Sequence, residues 1–382
     1  MTPITSNAEL QALCGRLSKA PFIAVDTEFM RETTYWPILC LIQAASADEA
    51  AVIDPMAEGL DLAPFLALLA DPKIVKVFHA ARQDVEIFNN LGVMPTPLFD
   101  SQIAAMAAGF GEQVAYDGLV RQMLKIEIDK SSRFTDWARR PLSDAQLSYA
   151  LADVTHLAKI YPKLTDRLEK EGRLTWVAEE MAAMTSPALY DVNPENAWKR
   201  LKPRKFNARY LAAFRAAAAW RERTAQTRDQ PRGRILKDEA IDEIATQLPT
   251  DADAMNRMRS VPRGFAGSKF GPDLLDALKA ALKDPEAYAP VMERPDSRGG
   301  PPPGAVIELL KVLLKARAED AGVASKLIAT VSDLEKIAAD DQAPVQALQG
   351  WRRELFGADA LRLKRGELAL VLDGARVRVV ET

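Results

Sequence analysis

Short apolar runs alternate with longer helical patterns over the first half of the chain. The apolar runs have the length of buried strands and lie at residues 22–26, 38–43, 51–53 and 74–78. Residues 143–184 instead carry apolar positions at the spacing of a helix. This alternation predicts an α/β domain over residues 1–190.

Proline-rich stretches predict two further domain boundaries. Pro187, Pro194 and Pro203 indicate a linker into a helical domain at residues 206–285. Residues 285–304 contain six prolines and three glycines, which is typical of a second linker. A third module is therefore expected at residues 304–382.

The third module repeats part of the second. Its run from Lys326 to Ala338 echoes the run from Arg234 to Ala245, at an offset of about 92 or 93 residues. This weak repeat predicts a divergent second copy of the helical domain. The end of the chain alternates polar and apolar residues around Asp373-Gly374, which predicts a β-hairpin.

Four acidic residues and one tyrosine form the main candidate site. Asp26 and Glu28 are two residues apart in a strand-like segment, so both side chains project from one face. Tyr149 and Asp153 are four apart in a helical segment and share a helix face. Asp84 follows the apolar run at 74–78.

Clustered carboxylates imply bound cations. Carboxylates gathered at one point repel each other and take up protons unless a cation compensates them. An oxygen-only ligand set suits Mg²⁺ or Mn²⁺. Two such ions can activate a water and stabilise the departing oxygen of a phosphodiester. The reaction class predicted from these residues is phosphodiester hydrolysis.

Each of these residues also has an ordinary structural interpretation. A lone Asp-x-Glu after an apolar strand is more often a solvated strand end, and Asp84 alone is a typical first-turn helix acid. Tyr149 alone is typically a packing residue. The occurrence of all three segments in one chain favours the catalytic interpretation.

The three segments resemble the exonuclease motifs of the DEDD superfamily, and most closely those of the bacterial ribonuclease D family. Ser148 followed by Tyr149 places the chain in the branch that has a tyrosine four residues before the last aspartate. The resemblance implies a ribonuclease H-like fold with a mixed, five-stranded sheet. It also implies that Asp26 bridges two divalent ions, that Glu28 and Asp153 complete the site of the first ion, that Asp84 holds the second, and that Tyr149 orients the attacking water.

Residues 206–285 resemble the helicase-and-ribonuclease-D C-terminal (HRDC) domain, a helical bundle associated with nucleic-acid binding. The stretch from Lys199 to Arg234 holds twelve basic residues against two acidic ones, a net charge of +10. We interpret it as a phosphate-binding surface, although a solvated helix face is the alternative. The candidate RNA contacts are Arg204, Lys205, Arg209 and Arg215. Phe29 and Met30, next to Glu28, are candidates for contact with terminal bases, with core packing as the alternative.

Composition limits the class of protein. The chain has 382 residues, a net charge of −3 and two cysteines without metal-binding or disulfide spacing. We find neither a signal-peptide pattern nor an apolar stretch of membrane-spanning length, so a cytoplasmic enzyme is expected.

The predicted function is a metal-dependent 3′-to-5′ exoribonuclease that releases nucleoside 5′-monophosphates. The family resemblance implies tRNA precursors or other structured RNA as the partner. A DNA 3′-to-5′ exonuclease shares these motifs and is the first alternative, because discrimination against DNA requires contact with the 2′-hydroxyl. The second alternative is a non-catalytic RNA-binding protein, which the intact set of five motif residues argues against.

Overall fold

The computed structural model describes residues 2–133, 135–292 and 304–382. Contacts divide the chain into two compact units. The first unit comprises residues 1–28, 40–186 and 296–382, and the second comprises residues 29–39 and 187–295. Most of the linker predicted at 285–304 falls on residues 293–303, which lie outside the described residues. The three-domain organisation stays a prediction.

A mixed five-stranded sheet forms the centre of the first unit, as predicted. The strand order is β3-β2-β1-β4-β5, and β1 pairs with β4 and β4 with β5 in parallel, whereas β2 and β3 are antiparallel. The four apolar residues that begin β1 are buried, and this burial fixes the strand in the core. The strands are β1 (Phe22–Met30), β2 (Ile38–Ala45), β3 (Ala50–Ile53), β4 (Val75–Phe78) and β5 (Leu98–Asp100).

Seven helices accompany this sheet in the described part of residues 1–186. The longest is α6, which begins with a capping box: the Ser143 hydroxyl accepts from the Gln146 backbone N–H, and the Gln146 side chain accepts from the Ser143 backbone. Its buried stripe includes Leu147, Ala150 and Val154. The helices are α1 (Asn7–Leu17), α2 (Ala63–Ala70), α3 (Arg82–Asn90), α4 (Ser101–Ala107), α5 (Tyr116–Leu124), α6 (Asp144–Lys170) and α7 (Leu174–Met184).

The second unit is helical and is built around one long, largely buried helix, α8. The buried alanines of this helix let neighbouring helices approach closely, and Tyr210, Phe214 and Trp220 fill the space between them. Two 3₁₀ helices precede it, at Pro187–Tyr190 and Pro194–Arg200. The α-helices are α8 (Ala208–Arg228), α9 (Arg232–Ile235), α10 (Asp238–Gln247), α11 (Ala252–Asn256), α12 (Phe270–Ala281) and α13 (Pro285–Tyr288).

A buried polar cluster anchors residues 29–39 within the second unit. The carboxylate of Glu222, 1% exposed, accepts the Tyr35 hydroxyl at 2.5 Å and both Arg232 and Arg200. Asp229 accepts the backbone N–H of Tyr35 at 2.9 Å. Burial raises the pKa of Glu222, but hydrogen bonds from Arg232, Tyr35 and Arg200 outweigh it and bring this pKa down to about 2. The cluster therefore supplies hydrogen-bond donors and positive charge to a carboxylate that is buried in its ionised form.

The C-terminal part of the first unit is a helical module that ends in a hairpin. Strands β6 and β7 are antiparallel, and Asp373 pairs with Arg376 across the turn. The elements are α14 (Gly304–Ala321), α15 (Ser325–Ile328), α16 (Val331–Ala339), a 3₁₀ helix (Gln346–Leu348), α17 (Gly350–Arg352), a π-helical turn (Arg353–Gly357), α18 (Ala358–Lys364), β6 (Leu368–Asp373) and β7 (Arg376–Glu381).

The short helix α15 and the following helix α16 repeat the succession of α9 and α10. Ser325 lies 93 residues after Arg232, and Val331 lies 93 residues after Asp238. The offset agrees with the weak sequence repeat.

None of the described helices is both long and apolar enough to span a bilayer.

Trp351 fixes this module against α7 within the first unit. Its indole stacks on that of Trp176 with ring centroids 4.2 Å apart and planes 7° apart. The adjacent Arg352 is buried and donates to Glu179 at 3.3 Å and to Glu180. The stacked indole rings and the buried, ion-paired guanidinium together hold this module against α7.

Replacing Trp351 with alanine tests the importance of this stacking. We expect the free energy of unfolding of the first unit to fall by about 3 kcal/mol, because the removal of a large buried ring leaves a cavity. Urea denaturation followed by far-UV circular dichroism measures the change. Leu372→Ala, at the 80% exposed hairpin tip, is the matched control and should shift stability by less than about 0.5 kcal/mol.

Glu222→Gln tests the buried cluster of the second unit through its pH dependence. Because the folded-state pKa of Glu222 is about 2 rather than 4.5, its charge stabilises the fold above pH 4.5 and this contribution disappears as pH falls towards 2. The variant should lose about 3 kcal/mol at neutral pH, and less below pH 3. Equal losses at pH 7 and pH 3 would show that the Glu222 charge is not stabilising.

Candidate active site

Strand β1 and helix α6 bring three carboxylates together. Asp26 and Glu28 project from β1 after its buried apolar residues, and Asp153 projects from α6. One oxygen from each of the three carboxylates lies within 4.8 Å of the other two. This distance is compatible with the binding of all three groups to one cation.

The electrostatics of this cluster are unfavourable for the ionised carboxylates alone. Burial, followed by the charges of Asp26 and Asp153, raises the pKa of Glu28 to about 9. Burial and the charge of Asp26 raise the pKa of Asp153 to about 8, and burial raises that of Asp26 to about 6. The donor set therefore fits a divalent cation, whose charge would offset the repulsion.

Asp84 lies in the first turn of α3, close to this cluster. It is 7% exposed, and its Oδ1 accepts the hydroxyl of Thr27 at 2.5 Å. Burial and the charge of Asp26 raise its pKa well above the usual range. Asp84 is not among the three carboxylates that meet within 4.8 Å, so it can contribute to a separate position next to Asp26.

Tyr149 lies one turn before Asp153 on α6, and its phenol partly offsets the rise in the pKa of the Asp153 carboxyl. Burial and the charges of Asp153 and Glu28 raise the pKa of Tyr149 above its usual value of about 10. The phenol is therefore protonated at neutral pH and acts as a hydrogen-bonding group rather than as a base.

A cleft of about 340 Å³ opens onto the cluster. Its walls include Asp26, Tyr149 and Asp153. His79 also lines it, but its Nε2 donates to the Val114 carbonyl at 3.1 Å and its Nδ1 lies 2.9 Å from the Ser101 hydroxyl. Burial lowers the pKa of His79, so this histidine is a neutral structural residue in the wall.

Two residues that sequence reasoning did not assign support the site. Asp100, 1% exposed, accepts the backbone N–H groups of Ala80 at 3.0 Å and Ala81 at 2.8 Å, and thereby holds the turn that leads into α3. Ala80 in this turn has a φ of 58°, which costs free energy in a residue with a side chain. In the sequence, Asp100 ends an apolar segment and lies in the run Phe99-Asp100-Ser101-Gln102, which resembles a segment of the ribonuclease D family, but neither feature assigns it a role.

Tyr116 is the second such residue. Its hydroxyl donates to the backbone carbonyl of Asp153 and lies 3.2 Å from that of Ala152. The Tyr116 ring packs edge-on against His79, with centroids 5.3 Å apart. Tyr116 therefore fixes the backbone of the α6 turn that carries the Asp153 carboxylate. No local sequence pattern indicates this hydrogen bond.

The candidate RNA contacts of the second unit differ in exposure. Arg204 is 74% exposed and lies 3.6 Å from Asp242, and Lys205 and Arg209 are exposed. Arg215 is used inside the unit, where it donates to the Tyr288 carbonyl, stacks on the Tyr288 ring at 4.7 Å and pairs with Glu195. Phe29 and Met30, which continue β1 beyond Glu28, are half-buried.

Comparison with known proteins identifies the family. The sequence profile described as 3′-5′ exonuclease matches residues 1–169, and the HRDC domain profile matches residues 211–278. The chain is 51% identical to ribonuclease D of Granulibacter bethesdensis over 382 residues, which is 100% of this chain and 97% of that protein. The chain belongs to the ribonuclease D family.

Further relatives agree with this assignment. Ribonuclease D of Nitrobacter hamburgensis is 50% identical and is covered over 100% of both chains. The crystal structure of Escherichia coli RNase D, described as an exoribonuclease involved in structured RNA processing, is 30% identical and has a TM-score of 0.78, covering 96% of this chain and 99% of that one. The predictions of an exonuclease domain, an HRDC domain and a 3′-to-5′ exoribonuclease that acts on RNA are confirmed at the level of the family.

Tyr116→Phe tests the role of the tyrosine hydroxyl within this ribonuclease D site. We expect kcat to fall about tenfold, because the loss of a buried hydrogen bond costs about 1 kcal/mol and loosens the position of Asp153. The Mg²⁺ concentration that gives half-maximal rate should rise, with KM for RNA little changed. Single-turnover assays over a Mg²⁺ series measure both. A variant with unchanged metal dependence would show that the hydroxyl does not position Asp153.

Proposed function

We propose that Asp26, Glu28, Asp84 and Asp153 hold two divalent ions, Mg²⁺ or Mn²⁺, and that Tyr149 orients the water that attacks the last phosphodiester of an RNA 3′ end. The observation that carries this proposal is the meeting of three partly buried carboxylates within 4.8 Å, with every pKa raised. Such an arrangement destabilises the fold unless a cation is bound, and so it is expected at a functional site.

The chain's own residues have separate roles in this reaction. When bound, the metal ions lower the pKa of a water and stabilise charge on the phosphate. Asp26 would contribute to both ions, since it meets Glu28 and Asp153 within 4.8 Å and its charge also raises the pKa of Asp84. Tyr149, which is protonated at neutral pH and lines the cleft beside Asp153, would direct a hydrogen bond towards the attacking oxygen. The product is a nucleoside 5′-monophosphate.

We also propose that the substrate is a tRNA precursor or another structured RNA with a single-stranded 3′ end. Residues 1–190 would cut, while the HRDC domain at 206–285 and a second, divergent HRDC-like module at 304–382 would hold the RNA body. The matching succession of α9–α10 and α15–α16 at an offset of 93 residues supports the second copy. Phe29 and Met30 would contact the terminal bases. Cys14 and Cys40 are both buried and form no disulfide, which fits a reducing cytoplasm.

Asp26→Asn tests the metal site separately from folding. We expect the rate of RNA shortening to fall about a thousandfold, equivalent to several kcal/mol of transition-state stabilisation. In EDTA the variant should unfold at the same or a higher urea concentration than the wild type, because one repelling charge is gone. Gel-resolved digestion of a 5′-labelled tRNA with a 3′ extension, with Mg²⁺ or EDTA, measures the rate.

Asp144→Asn, at an exposed position in the first turn of α6, is the matched control and should retain wild-type activity. A matched DNA strand in the same assay tests the polymer. Hydrolysis by Asp26→Asn at the wild-type rate would contradict the metal-site assignment, whereas equal trimming of DNA would contradict the RNA preference alone.

Charge reversal tests the proposed RNA-binding residues of the second unit. The triple variant of Arg204, Lys205 and Arg209 to Glu should bind tRNA more weakly, and the slope of log affinity against log salt should fall by roughly 0.9 for each phosphate that is no longer neutralised. Fluorescence anisotropy in EDTA measures binding without cleavage. Lys279→Glu, an exposed change on α12, is the control. An unchanged slope in the triple variant would place the RNA surface elsewhere.

A further inference from the structure

Thr27 lies between two of the candidate metal ligands on β1. Successive side chains of a strand point to opposite faces, so the Thr27 side chain points away from the pair Asp26 and Glu28. Thr27 is 6% exposed, and its two neighbours are less deeply buried. The hydroxyl is therefore not placed to bind the ion that these two carboxylates would share, and any contribution of Thr27 to the site is made through another residue.

The Thr27 hydroxyl makes a buried hydrogen bond to Asp84. It donates to Oδ1 of Asp84, and the two oxygens are 2.5 Å apart. Because a hydroxyl carries a single proton, this bond fixes its direction. The bond joins β1 to α3 across 57 residues of sequence. Thr27 is thus attached to the candidate ligand that stands outside the group of three carboxylates.

The backbone around Asp84 is fixed by a different contact. Asp84 is the third residue of α3, and the residue before this helix, Ala81, has no side chain that can cap it. The Ala81 N–H instead donates to the buried Asp100 carboxylate at 2.8 Å. Asp100 therefore sets the position of the first turn of α3, whereas Thr27 sets the direction of the Asp84 carboxylate.

A carboxylate that binds a cation beside other carboxylates has to keep its orientation before the cation is bound. Asp84 and Asp26 repel each other when both are ionised. A free aspartate side chain would relieve this repulsion by rotating to another staggered rotamer. Thr27 is β-branched and therefore stiff at its own Cα–Cβ bond. Its hydrogen bond opposes the rotation of Asp84 away from the cluster.

We propose that Thr27 is a positioning residue, which holds the Asp84 carboxylate in the orientation in which it binds the second divalent ion. This inference rests on the proposed two-ion site. Hydrogen bonds to ligating carboxylates orient them, and the loss of such a partner typically weakens metal binding about 10- to 100-fold. Thr27 therefore determines the affinity for the second ion, whereas Glu28 and Asp153 complete the site of the first.

Thr27→Val tests this role by metal binding rather than by turnover, because valine keeps the shape of threonine without its hydroxyl. Titration with Mn²⁺, followed by the electron paramagnetic resonance signal of the free ion, counts the bound ions and gives their affinities. We expect the wild type to bind two ions. In Thr27→Val the second ion should bind about tenfold or more weakly, and the first as in the wild type. Asp84→Asn identifies the second ion, since it removes the charge of a ligand to that ion.

Thr27→Ser and Thr27→Ala separate the hydroxyl from the packing of the side chain. Both remove the methyl group, but only serine keeps the hydroxyl. Thr27→Ser should bind the second ion nearly as tightly as the wild type, whereas Thr27→Ala should resemble Thr27→Val. Thr165→Val, which loses a hydroxyl that donates to the Tyr161 carbonyl within α6 at 2.9 Å, is the control and should bind both ions as the wild type does. Far-UV circular dichroism in EDTA checks that each variant is folded before the titration.

The outcomes separate this inference from the proposed function. Wild-type affinity for the second ion in Thr27→Val and Thr27→Ala would overturn the positioning role while leaving the two-ion site intact. Equal losses in Thr27→Ser and Thr27→Ala, or a loss at the ion that Asp84→Asn leaves unchanged, would also overturn it. Wild-type protein that binds fewer than two Mn²⁺ ions would overturn the proposed two-ion site itself. A selective loss of the second ion in Thr27→Val and Thr27→Ala, restored in Thr27→Ser, would establish that the Thr27 hydroxyl positions Asp84.

Discussion

Repulsion between closely packed carboxyl groups constrains the whole first unit. Asp26, Glu28, Asp84 and Asp153 are held together at the junction of β1, α3 and α6, and burial raises the pKa of each. An arrangement that opposes ionisation persists only because the elements around it are fixed by other contacts. These other contacts are made by the buried apolar residues that begin β1, by the capped helix α6, and by the turn before α3, which is hydrogen-bonded to Asp100. The surrounding fold, rather than attraction among the four groups, thus sets their positions.

Sequence reasoning was strongest where the relevant geometry is local. Residues two apart in a strand or four apart in a helix share a face whatever the tertiary fold, so the pairs Asp26–Glu28 and Tyr149–Asp153 could be recognised from their spacing. The hydrogen bond of Tyr116 to the Asp153 backbone, by contrast, joins α5 to α6 across 37 residues. Strand β5 has three residues, too short for a periodic pattern to predict it. Such features depend on tertiary packing, which a single sequence does not encode in any local window.

The basic stretch of the second unit shows a different limit. A count of charges gives +10 over residues 199–234, but the count does not reveal which charges are already paired. Arg200 and Arg232 neutralise the buried Glu222, and Arg221 pairs with Asp238 at 2.6 Å. Much of the positive charge therefore stabilises the helical bundle itself. The structure shows that Lys205 and Arg209 are exposed, whereas Arg200, Arg221 and Arg232 are paired within the bundle.

The anchoring of residues 29–39 by Glu222 and Asp229 has a consequence for how this protein can be divided. The polypeptide leaves the acidic cluster at Glu28 and enters the second unit at the next residue, about 160 residues before the main part of that unit begins. A fragment that ends near residue 190 would keep this segment but lose its packing partners, and Tyr35, 3% exposed in the full chain, would face water. The helical unit is thus not formed by one continuous segment of the chain. A gene fusion that transfers this unit to another protein would also have to include residues 29–39, which lie far from the rest of the unit in the sequence.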